Sequence, residues 1–132
     1  MTTKQLIDAL RIANQNEELW GLIVYEIVGD GCLNGMWTNN DNLLWTNNSR
    51  RIMNEIARKS DGEHNNINGD YSVTYIDFNN VTLSGTLTIT ENNGIFNFEW
   101  TINIPNNNPN PFIFTGVGMR TGERQLTAIY WC

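Results

Sequence analysis

Positive charge is scarce in this sequence of 132 residues. It has two lysines and eight basic residues in all, against fourteen acidic ones, which gives a formal net charge of −6. Sequence-independent binding to nucleic acid or to an anionic membrane surface relies on clustered Lys and Arg side chains, and no such cluster stands out. We therefore expect neither nucleic acid nor membrane among the partners of this protein.

Long apolar runs and cysteines are scarce as well. No apolar run approaches the roughly 20 residues that a membrane-spanning helix needs, and charged residues within the first twenty leave no room for a signal-peptide core. The two cysteines, Cys32 and Cys132, are too few for the disulfide framework of a secreted protein. The sequence therefore predicts a single cytoplasmic domain over residues 1–132.

Motifs for metal binding and catalysis are missing. The one histidine, His64, stands in the polar loop 59–66, whereas a metal site needs three or four converging ligands. No nucleophile elbow of the form G-x-S-x-G occurs, and Gly116-Val117-Gly118 is too short for a dinucleotide fingerprint. We expect no metal and no cofactor, and no motif indicates an enzyme.

The first residues have the spacing of a helix. Thr2 and Gln5 have the form of a capping box. Apolar residues then recur at every third or fourth position: Leu6, Ile7, Leu10 and Ala13. This spacing predicts an amphipathic helix over residues 3–19.

From residue 21 onward the apolar period changes to two, which is typical of β-strands. Phe96, Phe98 and Trp100, for example, share one face of a strand while Asn97 and Glu99 share the other, as in antiparallel sheets with one solvated face. Residues 54–59 also fit a turn of helix. Clusters of glycine and asparagine divide this part of the chain into eight predicted strands: 21–28, 32–38, 50–58, 67–77, 81–90, 95–104, 112–119 and 125–131.

Asparagine is abundant, at 22 residues, and most of these stand in the connections between predicted strands. Short connections rich in Gly, Asn and Asp are typical of hairpins. Eight consecutive strands joined in this way favour a meander, and its closure removes the exposed edges. We therefore predict a mainly β fold: an eight-stranded antiparallel up-and-down β-barrel over residues 21–131, with the helix covering one end. A two-sheet sandwich is the alternative.

The second strand carries a resemblance to a known family. It reads Cys32-Leu33-Asn34-Gly35-Met36-Trp37-Thr38-Asn39, and its G-x-W-x-N segment resembles the first strand of the avidin family. Segments 69–71, 96–100, 114–116 and 126–130 follow in an order compatible with that family. The resemblance implies a barrel holding one small molecule, contacted by six inward-pointing residues: Trp37, Asn39, Tyr71, Trp100, Phe114 and Tyr130. The family's final strand and the serine after its loop asparagine have no match, so biotin binding is not implied.

The pair Gly35 and Trp37 is equally similar to the wider lipocalin-like, or calycin, barrels. In those barrels a tryptophan near the chain start packs with an arginine from the last strands, for which Arg120 and Arg124 are the candidates. The two resemblances place the mouth at opposite ends. We favour the avidin-like end, beside loop 39–49.

Two further features bear on a site. Glu26 shares its face of strand 21–28 with Leu22 and Val24, so it is a candidate buried acid if that face turns inward, and a surface residue if it turns outward. The three adjacent apolar residues of loop 39–49 are a candidate lid over the mouth, or a contact with another subunit in a homo-oligomer: Leu43, Leu44 and Trp45.

Three functions are compatible with these patterns. The leading hypothesis is a non-catalytic barrel that binds one small, largely apolar or planar ligand, with Trp100 and Tyr130 as walls and Asn39 as a polar anchor. The same aromatic side chains could instead simply fill the interior. A second hypothesis is a protein-interaction module, such as an acidic immunity-type partner that neutralises a basic protein. A third is a cofactor-free cyclase or isomerase, in which Glu26 or a tyrosine moves a proton.

Overall fold

The computed structural model describes residues 19–29, 31–40, 52–60, 66–76, 82–103 and 111–132. Each strand in these ranges pairs antiparallel with the next, and the last pairs with the first to close a barrel. The predicted eight-stranded antiparallel up-and-down barrel is therefore confirmed, and the sandwich is wrong. The strands are β1 (Trp20–Ile27), β2 (Cys32–Asn39), β3 (Met53–Lys59), β4 (Gly69–Ile76), β5 (Thr82–Asn92), β6 (Ile95–Asn103), β7 (Phe112–Gly122) and β8 (Gln125–Trp131).

Several predictions concern residues outside the described ranges. The predicted helix over residues 3–19 lies there except for Leu19, and so do the candidate lid residues Leu43, Leu44 and Trp45. Among the described residues, no helix combines the length and the apolar character needed to cross a membrane.

The β3 segment, which also fitted a turn of helix, is a strand that pairs with β2 and β4. At the two-residue hairpin between β5 and β6, Asn93 and Gly94 have φ values of 55° and 83°. Two successive positive φ values match the twist of the flanking strands, which is why the Asn-Gly sequence is favoured there.

The alternation of strand direction defines two ends of the barrel. We call the end where β1 begins the lower end; β2 and β3, β4 and β5, and β6 and β7 are joined there, and Cys132 lies there. The other end, called the upper end, holds Cys32 and the turns between β5 and β6 and between β7 and β8. The two cysteines therefore lie at opposite ends, as the meander predicts.

Every second residue of each strand points into the barrel, where the side chains form one core. The upper half of that core is closely packed, with Leu33, Tyr71, Ile89 and Phe96 all buried. Partly buried side chains pack against the core at both ends. At the upper end these are the aliphatic Ile27 and Ile67, whereas at the lower end most of them are aromatic: Trp37, Tyr75, Leu83 and Phe114.

Candidate functional site

A carboxyl group lies inside the barrel. Glu55 occupies an inward-facing position of β3, between Met53 and Ala57, and is only 5% exposed. Among the described residues it is the one acidic side chain that is buried. A buried carboxyl group is costly unless hydrogen bonds or a counter-charge satisfy it, so its surroundings are informative about function.

Tyr25 of β1 reaches Glu55 across β2 because the β2 residue between them, Gly35, is a glycine. Tyr25 of β1 pairs with Gly35 of β2, which in turn pairs with Glu55 of β3. The Tyr25 ring lies over Gly35 so closely that a Cβ at position 35 would stand 2.8 Å from it. The Tyr25 hydroxyl thereby donates a hydrogen bond to Oε2 of Glu55. The glycine of the G-x-W segment thus shapes the acid site.

Trp100 completes a chain of donors that ends at the acid. Its indole Nε1 donates to the Tyr25 hydroxyl oxygen over 3.0 Å. The indole stacks on Phe98 with ring centroids 5.4 Å apart, and a Cβ at Gly116 of the neighbouring strand would stand 2.8 Å from it. Packing on both sides fixes the position of the indole. The hydrogen bonds are donated from the indole to the Tyr25 hydroxyl and from that hydroxyl to the Glu55 carboxylate.

The protonation of this group is balanced near neutral pH. Burial raises the pKa of Glu55 to about 7, and the hydrogen bonds from Tyr25 and Trp100 offset only part of that rise. Burial, together with the negative charge of Glu55, raises the pKa of the Tyr25 hydroxyl well above its usual range. Tyr25 therefore stays a neutral donor at the pH where Glu55 gains or loses its proton.

Aromatic rings flank Glu55 toward the lower end. Tyr75 of β4 pairs with Glu55, and its ring meets the Trp37 ring edge-on at 5.7 Å. A second group of rings includes Trp100, which is linked to Glu55 through Tyr25. In this group the Tyr130 ring meets Trp100 at 5.8 Å and Phe114 at 5.9 Å. The rings of Trp37, Tyr75 and Phe114 are half-buried, so they present accessible aromatic surface at this end.

Two polar side chains lie in the same half of the barrel. Asn39, at the end of β2, is 9% exposed. The Tyr130 hydroxyl donates to the backbone oxygen of Thr38 over 3.0 Å. Burial raises the pKa of Tyr130 despite its hydrogen bond with Asn39, so this hydroxyl also stays protonated at neutral pH.

The structure brings five of the six residues expected to contact a ligand toward the lower half of the barrel interior: Trp37, Asn39, Trp100, Phe114 and Tyr130. Tyr71 differs, because it lies at the upper end. It is 1% exposed, and its hydroxyl donates to the backbone oxygen of Ile67 over 2.7 Å. Tyr71 therefore belongs to the packed core at the other end from the ring cluster.

Glu26 lies outside the barrel wall and is exposed, because Ile23 and Tyr25 supply the inward face of β1. The buried acid is therefore Glu55 and not Glu26. The calycin-like pairing of Trp37 with Arg120 or Arg124 is not formed, since both arginines lie at the upper end, where Arg120 donates to the backbone oxygen of Glu123. Trp37 packs against Tyr75 instead.

Sequence reasoning missed Glu55, although the two-residue period of β3 contains a signal. Glu55 shares a face with Met53 and Ala57, whereas Ile52 and Ile56 share the other. The more apolar pair points outward and is 67% and 42% exposed. The glutamate therefore faces inward on a strand whose isoleucines would by hydrophobicity be assigned to the core.

The described residues contain no group of three or more His, Cys, Asp or Glu side chains that could hold a metal ion. Comparison of the chain with protein-family models, with curated proteins and with solved structures finds no match. The arrangement of the site is thus the basis for any functional assignment.

Proposed function

We propose that the protein binds one small, largely apolar or planar ligand inside the barrel, at its lower end. The observation that carries this proposal is the half-buried state of Trp37, Tyr75 and Phe114, which surround the deeper polar groups of Glu55 and Tyr130. Ligand sites in proteins are mostly apolar and aromatic with a few polar groups that fix orientation, and this composition matches them.

The contrast between the two halves of the barrel supports the lower end as the mouth. An eight-stranded barrel is wide enough to be filled by side chains or to hold one small ligand. In the upper half Leu33, Tyr71 and Ile89 are each about 1% exposed, so side chains fill that half. The accessible rings lie at the other end, where an avidin-like site would open.

The two family resemblances agree with an eight-stranded barrel at the level of the fold. The avidin-like interpretation also agrees with the inward positions of Trp37, Trp100 and Tyr130. The calycin-like interpretation lacks the pairing of Trp37 with Arg120 or Arg124, since both of these arginines lie at the upper end. We therefore base the position of the barrel's mouth on the avidin-like resemblance and on the accessible aromatic rings.

The proposal is tested with the neutral, apolar dye N-phenyl-1-naphthylamine, whose fluorescence rises on transfer from water to an apolar site. We expect saturable enhancement with the native protein and about fivefold weaker binding by Phe114→Ala, because an aromatic contact contributes about 1 kcal/mol. Met36→Ala is the matched control, since Met36 precedes Trp37 on β2 and is 53% exposed on the outer face.

Two outcomes would contradict the proposal. One is the absence of saturable enhancement with the native protein. The other is an equal loss of affinity in Phe114→Ala and Met36→Ala, which would place the dye on the outer surface.

The donor chain that ends at Glu55 favours a second candidate, a cofactor-free isomerase or cyclase. A carboxyl group with a pKa of about 7 can exchange a proton with a bound carbon acid at neutral pH. The planar ketone 2-tetralone in D2O is a suitable probe: the enzyme hypothesis requires faster deuterium incorporation with the native protein than with Glu55→Gln. The interaction with a basic protein, inferred from net charge, stays a prediction.

A further inference from the structure

We infer that the ligand is an organic cation, a protonated amine on a planar or apolar frame, with its ammonium group on the Glu55 carboxylate and its frame against the aromatic rings. This inference rests on the proposed function and adds the charge of the ligand. It follows from three features of the site: where the charges lie, which donors are already used, and how the rings are placed.

Positive charge is confined to the upper end of the described barrel. All Lys and Arg residues in the described ranges lie near that end: Arg58, Lys59, Arg120 and Arg124. Lys59 and Arg120 follow the inward-facing alternation of their strands, but they donate hydrogen bonds to the backbone oxygens of Asn66 and Glu123. An anionic ligand at the lower end would therefore be repelled by the Glu55 carboxylate, and no Lys or Arg of the described residues lies there to compensate.

The hydrogen-bond donors around Glu55 are committed to protein acceptors. The Trp100 indole donates to Tyr25, the Tyr25 hydroxyl to Glu55, and the Tyr130 hydroxyl to the backbone oxygen of Thr38. A carboxylate has two oxygens and about four acceptor positions, of which Tyr25 and Trp100 take at most two. The described groups therefore offer acceptor capacity at Glu55, which suits a ligand that brings its own donors, as an ammonium group does.

The aromatic rings suit the same ligand. Trp37 and Tyr75 lie on the two strands that flank β3, and Trp100 donates to the Tyr25 hydroxyl that binds Glu55. The rings of Tyr130 and Phe114 continue the cluster from Trp100. The faces of aromatic rings attract cations, most strongly where water is excluded, and the frame of the ligand would bury apolar surface against the same rings. The buried carboxylate then gains a counter-charge that the described protein side chains do not supply.

Ionisation of Glu55 links this binding to pH. The titratable groups that face Glu55 from other strands are the hydroxyls of Tyr25, Tyr75 and Tyr130. The raised pKa values of Tyr25 and Tyr130 keep these two hydroxyls neutral. A cation requires the ionised carboxylate, and the pKa of Glu55 in the free protein is about 7. Affinity should therefore be full above pH 8 and fall as the pH drops below 7.

The test uses three compounds with one indole frame and different charge: tryptamine, a cation; tryptophol, a neutral alcohol; and indole-3-propionate, an anion. Binding is measured by isothermal titration calorimetry and by displacement of N-phenyl-1-naphthylamine. At pH 8 we expect tryptamine to bind at least about tenfold more tightly than tryptophol, and indole-3-propionate most weakly. Between pH 8 and pH 6 the affinity for tryptamine should fall about tenfold, while that for tryptophol changes little.

Glu55→Gln should abolish both the preference for tryptamine and its pH dependence, because the amide keeps the shape of the side chain but not its charge. Glu26→Gln is the matched control, since it removes a carboxylate from the outer face of the barrel and should leave both unchanged. The compound series and the pH series use the unaltered protein, so the test does not depend on the folding of a variant.

Tryptophol or indole-3-propionate binding as tightly as tryptamine would overturn the inference, and so would failure of tryptamine to displace the dye at pH 8. In either case saturable dye binding that responds to Phe114→Ala would leave the proposed ligand site standing. Absence of dye binding would instead remove the proposed function itself.

Discussion

Glu55 occupies a position that an apolar side chain would fill in an ordinary barrel core, and its neutral form is the one favoured by burial. A carboxyl group whose pKa is raised on folding contributes to the stability of the folded state, and this contribution is complete below the pKa of the group in the unfolded chain. The contribution is lost as the pH rises through the pKa in the folded state. The pH window for Glu55 therefore runs from about 4.5 to about 7.

We expect the native protein to lose about 3 kcal/mol of stability relative to Glu55→Gln between pH 4.5 and pH 8, because the variant cannot ionise at this position. Urea unfolding at each pH measures the free energy of unfolding of both proteins. The other carboxyl groups are the same in the two proteins, so their contributions cancel in the difference. Parallel pH profiles for the two proteins would contradict a raised pKa at Glu55.

Gly35 is the residue on which the position of Tyr25 depends. A methyl group at position 35 would stand 2.8 Å from the Tyr25 ring, so the ring must move away from Glu55. We expect Gly35→Ala to lower the free energy of unfolding by about 1–3 kcal/mol, the range typical of overpacking. Asn34→Ala, on the exposed outer face of the same strand, should change it by less than about 0.5 kcal/mol. Equal stability of Gly35→Ala and the native protein would show that Tyr25 does not depend on this glycine.

At the scale of the strand, the sequence predicts well where one face is apolar and the other is polar. On β6 the alternation of Phe96, Phe98 and Trp100 with Asn97 and Glu99 determines the orientation directly. On β1 both faces are apolar: Ile23 is 2% exposed and Leu22 is 41% exposed, yet the two side chains are nearly equal in hydrophobicity. The orientation of β1, and so of Glu26, depends on the partners that β2 and β8 supply.

The site itself depends on register between strands. Tyr25, Gly35 and Glu55 are separated by ten and twenty residues in the chain and become neighbours only through the pairing of β1 with β2 and of β2 with β3. The period of a single strand carries no information about that pairing. The sequence could therefore predict the barrel and most of its inward-facing aromatic residues, but not the buried acid and its donors.

Strand direction leads to a separate prediction for the cysteines. Cys32 opens β2 at the upper end and Cys132 follows β8 at the lower end, while a disulfide requires Cα atoms within about 7 Å. We expect two reactive thiols per chain when the protein is denatured without reductant and titrated with a chromogenic disulfide. A monomeric chain without titratable thiols would be incompatible with the observed strand order.

Considered as a whole, the barrel has two ends that differ in packing. The upper half has a packed core around Leu33, Tyr71 and Ile89 and holds all the described basic side chains. The lower half combines accessible rings with the one buried acid among the described residues. Packing at the upper end should therefore govern stability, and the lower end should govern ligand binding. Because the two groups of side chains lie in different halves, substitutions in one should be nearly independent of the other.

Tyr71 and Phe114 test this division. Tyr71→Phe removes the hydrogen bond to the backbone oxygen of Ile67 at the upper end, and we expect it to lower the free energy of unfolding by about 1 kcal/mol without changing dye affinity. Phe114→Ala should weaken dye binding about fivefold. Urea unfolding and dye titration are performed on both variants, so that each is the other's control. Weaker dye binding by Tyr71→Phe, together with unchanged binding by Phe114→Ala, would contradict this division. The dye would then contact the upper half of the barrel, which would place the mouth at the upper end and favour the calycin-like orientation.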